Sequence, residues 1–202
     1  MYISRPKANP PRNAEPPAVT RRHDPDRRAR ILRAALDTIA EHGVTGTTHR
    51  RIAAAADVPL GSMTYHFASL DDLLTEAFTL LADTVSARFT ERLAVAGTRV
   101  EACEAVVDLI VDESWATPRN LLLSYELYAY AARVPALRSV MQGWMGKSRA
   151  ALEQHFSPGT ARALDAMIEG LSIHRSVDRE PASRAEVRAI VTRLTGDAPP
   201  LP

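Results

Sequence analysis

Cysteine is all but missing from this 202-residue chain, and aromatic residues make up only 5% of it. The single Cys103 excludes an internal disulfide framework. Its place among Val100, Val106 and Val107 at helical spacing predicts a buried core thiol. No apolar run approaches the roughly 18 residues that span a bilayer, and the first residues lack the apolar centre of a secretory signal, so a cytoplasmic protein without membrane partners is expected. Alternating apolar and polar residues are also absent, which argues against strands. There is no nucleophile elbow, no phosphate loop and no His-Glu-x-x-His spacing, and the six histidines are scattered. No catalytic residue, metal or cofactor is expected on these grounds.

What is present is helix-forming sequence with an uneven charge. Residues 1–70 hold 11 Lys and Arg against 6 Asp and Glu, whereas the rest holds 14 against 18. A basic end of this kind suits a module that faces phosphates. Residues 1–20 contain five of the fourteen prolines and read as a disordered tail, as do 197–202 at the other end. Between them the chain divides near residue 69, with short helices over 21–68 and longer ones over 69–196. The expected fold is all-α: a three-helix N-terminal module followed by a larger helical domain.

The first helix is predicted from Asp24-Pro25, with Ile31, Leu32, Ala35, Leu36 and Ile39 on one face and a stop at Gly43. A second starts behind Thr47-Thr48 and turns Ile52, Ala53 and Ala56 inward. Asp57-Val58-Pro59 makes a tight connection to a third helix, Leu60 to Phe67. Asp57 takes the position where a left-handed backbone is usual, a conformation Asp tolerates better than most residues. Small inward residues, a sharp turn and a second short helix suit a helix-turn-helix, and on spacing alone an ordinary helical hairpin serves equally well. Ser69, with Asp72 three residues later, opens a long helix carrying Leu70, Leu73, Leu74, Ala77, Phe78, Leu81, Val85 and Phe89. Further helices are predicted over 99–115, from Pro118 through an almost wholly apolar and therefore buried stretch, over 136–156, 160–177 and 183–195.

The segments RRARILRAALDTIAEHG, TTHRRIAAAADVPLGSMTYHF and SLDDLL resemble the TetR-type repressors, closely from Arg27 to about Leu74 and in architecture beyond. The resemblance implies that the third helix reads bases in operator DNA. It places Leu60, Gly61, Ser62 and Thr64 on the groove side, and makes Thr47, Thr48, Arg50, Arg51, Tyr65 and His66 candidate phosphate or base contacts. Ile52, Val58, Met63 and Phe67 fall to the core. Four positions depart from the family's habit: Asp57 stands where Gly is common, Pro59 replaces a common Ser cap, Thr64 a phosphate-binding Tyr, and Leu70 a Lys. Arg21, Arg22, Arg27 and Arg28 stand where they could make up for the lost backbone contacts.

The resemblance further implies a homodimer formed through the last two helices, which singles out Leu164, Ile168, Leu171, Val187, Ile190, Val191 and Leu194. It also implies a cavity among the central helices for a largely apolar small-molecule effector. Trp115, Tyr125, Tyr128, Met141, Trp144 and Met145 are its candidate lining, with Glu126 as the polar group. The function so implied is a repressor released from a palindromic operator by an effector. A constitutive repressor without effector, or a small helical enzyme, are the alternatives.

Overall fold

The computed structural model describes residues 26–112 and 117–196. Among these, every regular element is a helix: α1 Arg27–Gly46, α2 His49–Ala55, α3 Gly61–His66, α4 Leu70–Ala94, α5 Arg99–Val111, α6 Pro118–Ala131, α7 Pro135–Leu152, α8 Pro158–Val177 and α9 Arg184–Thr195. Both tails, and with them the expected start of α1 at Asp24-Pro25, lie outside the described residues, as do Arg21, Arg22 and Trp115.

Side chains chosen for the task set most helix starts. Thr48, Ser69, Thr98, Thr117, Ser157 and Ser183 each accept a hydrogen bond from a first-turn backbone N–H, satisfying donors that no helical carbonyl can reach. At Thr98 and Ser183 the bond is reciprocated by Glu101 and Glu186, closing full capping boxes. Asp72 gives no such return to Ser69, so that expected box is only half made. Proline sits in the first turn of α6, α7 and α8, where its missing N–H costs nothing.

Two clusters form the interior. One joins Ile31, Leu36 and Ile39 of α1 with Ile52, Met63 and Phe67, and continues without a break into Leu74 and Phe78 of α4, Leu123 and Leu127 of α6 and Leu137 and Met141 of α7. The other packs Phe89 and Leu93 against α5, the end of α7, α8 and α9. The division expected at residue 69 is thus crossed by one continuous core.

The structure corrects three packing expectations. Val100 is exposed, because α5 turns Ala102, Ala105, Val106, Leu109 and Ile110 inward instead. Cys103 is only partly buried, its Sγ 3.4 Å from Thr195 Oγ1. Helix α6 is not buried all round, since only Leu123, Leu127 and Ala131 are covered while Leu122 and Tyr128 are exposed.

Candidate DNA interface and effector cavity

The chain turns between α2 and α3 at Asp57, where φ is +51°. Ala53 and Ala56 are buried, and Val58 N–H donates to the Ala53 carbonyl at 3.0 Å, so the two helices approach closely. Met63 and Phe67 anchor the inner face of α3, with Val58 packed partly beneath them. The outer face presents Leu60, half exposed, and Tyr65, at 84% the most exposed large apolar residue among the described residues. Gly61 and Thr64 are exposed and Ser62 and His66 partly so; the Tyr65 and His66 rings meet edge to face at 4.9 Å.

Of the candidate backbone contacts, Thr48 accepts from Arg51 N–H at 3.3 Å and remains exposed. Arg50 is exposed as well. The Arg51 guanidinium donates to the Gly46 carbonyl, bracing the approach to α2. Thr47 has to be withdrawn: it is 3% exposed and its hydroxyl donates to the Gly43 carbonyl at 2.8 Å, so it organises the turn from inside. Arg28 is also engaged, pairing with Glu76 and lying 5.1 Å from the centre of the Phe67 ring.

A cavity of about 150 Å³ lies between α4, α5, α6, α7 and α8. Tyr125, Tyr128, Met141, Trp144 and Met145 line it as expected. Glu126 does not: it faces away, accepting a hydrogen bond at Oε2 from the backbone N–H of Val44 at 2.9 Å. The polar residues that do line the cavity include Asp165 and Glu169, one turn apart on α8. Sequence reading missed both, although two acids at i and i+4 among apolar residues are a usable signal. Phe89, Asn120, Ser124, Ser148 and Ser172 complete its aromatic and polar wall.

Electrostatics set the two acids apart. Burial pushes the Asp165 carboxyl above its ordinary value, and the Arg149 guanidinium, 2.9 Å away, opposes the shift. Burial likewise raises Glu169; the Tyr128 hydroxyl bonds to it and opposes this, while the Asp165 charge adds to it. The Tyr128 phenol is pushed far up by its own burial and by Glu169. With one cation against two carboxylates, the ionised group carries a net negative charge beside aromatic faces.

The candidate dimer residues divide three ways. Leu164, Val187 and Val191 are fully buried against their own chain and offer nothing to a partner, because α8 and α9 use them to pack on α5. Ile168 lines the cavity, and Leu171 is partly buried. Ile190 and Leu194 are each 37% exposed on the outer side of α9.

A braced, exposed helix after a left-handed turn, carried on a helical body with an internal cavity, defines a helix-turn-helix transcriptional regulator that binds DNA. Residues 31–77 match the family model described as bacterial regulatory proteins, tetR family, and residues 97–197 match the tetracyclin repressor-like C-terminal domain. The chain belongs to the TetR family of transcriptional regulators. It is 53% identical to the putative transcriptional regulator SCO7518 from Streptomyces coelicolor A3(2), over 85% of this chain and 99% of that one, with a TM-score of 0.80. It is 35% identical to the multidrug binding protein EbrR in a complex with malachite green, over 85% and 99% of the two chains, with a TM-score of 0.69. A TetR family member from Streptomyces coelicolor A3, SCO1917, is 34% identical over 85% and 99%, with a TM-score of 0.68. No protein of curated function is significantly similar to the chain. No helix among the described residues is long and apolar enough to cross a membrane.

Proposed function

We propose that this regulator is a dimeric repressor released from a palindromic operator by an aromatic organic cation. The observation that carries the effector class is Glu169, a partly buried carboxylate on an aromatic wall that is hydrogen-bonded to the neutral Tyr128 hydroxyl and has no salt bridge among the described residues. A ligand cation would relieve the cost of ionising it there and gain cation–π attraction from Tyr125, Tyr128 and Trp144. The malachite green complex of EbrR supports the same class.

Cavity size supplies a mechanism for release. A space of about 150 Å³ holds roughly one benzene-sized ring. A larger cation that buries itself fully displaces Met141, Trp144 and Met145 or pushes α6 aside, so it binds better to a rearranged body and shifts the protein toward it. In the dimer, Leu171, Ile190 and Leu194 remain as apolar contacts on α8 and α9, and the two α3 helices should lie about 34 Å apart to meet one face of the duplex.

The test begins with selection of an operator from random duplexes by the purified protein, followed by anisotropy titration. Malachite green should bind the protein and lower its affinity for the selected duplex, whereas the uncharged leuco form should do neither. Equal binding of both forms would refute the cationic class.

A further inference from the structure

Helix α6 touches two structures at once. Asn120, Leu121, Ser124, Tyr125 and Tyr128 line the cavity. Two other side chains reach the DNA-reading module, Arg119 pairing with Asp37 of α1 at 2.5 Å and Glu126 accepting from Val44 N–H; a third, Tyr130, donates its hydroxyl to Asp71 at the start of α4, next to the module, at 2.8 Å. At 3.6 residues per turn, Arg119, Glu126 and Tyr130 fall within about 40° of one another, four of the five cavity residues lie on the opposite side, and Asn120 lies on the flank. The helix is therefore a bar with the cavity on one face and the module on the other.

The three tethers are not equivalent. Arg119–Asp37 is an exposed ion pair, which fixes geometry weakly. Tyr130 reaches only the first turn of α4. Glu126 meets the backbone at the one break inside α1, where Gly43 has φ +67° and ψ 170°. That break leads straight into the Thr47 hydroxyl bond, the Thr48 cap and α2. Val44 N–H needs an acceptor there, because the break at Gly43 interrupts the helical ladder.

We propose that Glu126 is a positioning residue for DNA binding, a latch on the Gly43–Val44 break through which α6 sets the angle of the module. Displacement of α6 by a ligand carries the Glu126 carboxylate with it and releases the module's set position. The ligand-dependent half of this proposal rests on the effector reading above; the positional half does not.

The positional half is tested without ligand. Spin labels placed by Arg33→Cys on α1 and Arg162→Cys on α8, in a Cys103→Ser background and diluted into unlabelled protein, report the distance between module and body. Glu126→Ala should broaden that distribution and weaken binding to the selected operator about tenfold. Glu126→Gln, whose amide oxygen can still accept from Val44, should restore most of both. Malachite green affinity should stay within about twofold of wild type in each variant, and the dye should displace Glu126→Ala from operator less than it displaces wild type, relative to each starting affinity. A Glu126→Ala distribution and operator affinity equal to wild type, or a loss as large in Glu126→Gln, would overturn the proposal. If wild type does not bind the dye, the effector class fails while the distance measurement still decides the latch. Should Glu126→Ala fail to fold, amide exchange at Val44 in the wild-type protein decides: protection supports the latch, and exchange at the free rate overturns it.

Discussion

Arg149 donates through Nε to Asp165 across 2.9 Å, while Glu169, one turn further along α8, has no salt bridge among the described residues. The two acids look alike in sequence, yet only the second is available to a ligand's positive charge without first displacing a guanidinium. This asymmetry assigns them different work. Asp165 holds α7 to α8, and Glu169 is the carboxylate that the proposed cationic effector would meet.

Glu169→Gln should therefore weaken malachite green binding about tenfold or more, roughly 1.4 kcal/mol, while binding of the leuco form is unchanged. The wild-type affinity for the dye should fall as pH is lowered through the raised pKa of Glu169, because protonation removes the counter-charge. Calorimetric titration of both proteins across a pH series checks this. A pH dependence that survives in Glu169→Gln would assign it to another group.

Folding stability should respond to the same residue in the opposite sense. A carboxyl with a higher pKa folded than unfolded contributes stability that is fully present below the unfolded value near 4.5, and loses it as pH rises through the folded value. Urea titrations of the ligand-free protein should thus show Glu169→Gln matching wild type near pH 4 and exceeding it at pH 7 to 8. Deficit at the higher pH would mean that the Tyr128 bond outweighs the cost of burying the charge.

Gly43 cannot be replaced quietly. At φ +67° and ψ 170°, a region almost confined to glycine, an L side chain costs about 1–3 kcal/mol, and a Cβ would stand 3.2 Å from Glu126 Oε1. Gly43→Ala should lower the urea midpoint accordingly and weaken operator binding as well, since the added methyl presses on the latch. Unchanged operator affinity at reduced stability would separate the two effects.

Asp57 provides the matching case in the turn. Its φ of +51° suits Asp, Asn or Gly and penalises a β-branched side chain. Asp57→Val should cost roughly 1–2 kcal/mol, and Asp57→Gly should be tolerated, as read by thermal unfolding.

Arg50 is exposed on α2 beside the expected path of the DNA backbone. Arg50→Ala should weaken binding to all duplexes alike and reduce the magnitude of the salt slope by about one, which anisotropy at several salt concentrations measures. A loss confined to the operator sequence would make it a base contact instead.

The helix-turn-helix was legible because its determinants are local. Thr48 caps within three residues, Asp57 bends within one, and the apolar spacing of Ile52, Met63 and Phe67 reports the core directly. The cavity was legible only in its aromatic and Met residues, which stand out on α6 and α7. Glu126 was misplaced because its partner lies 82 positions earlier and is a backbone group, which no side-chain pattern announces. Asp165 and Glu169 were overlooked because charged residues on an amphipathic helix ordinarily face water. Leu164, Val187 and Val191 show the same limit from the other side: periodicity marks an apolar face but not whether its own chain or another covers it.

The core that runs unbroken from Ile31 through Phe78 to Leu127 bears on how such regulators can be recombined. A hybrid spliced at Ser69 would sever Phe78, Leu123 and Leu127 from the side chains they cover, and the grafted reader would sit on a surface shaped for another. Exchanging DNA specificity between relatives therefore calls for transplanting the facing sides of α4 and α6 together with the first three helices, a unit scattered over half the sequence but contiguous in space.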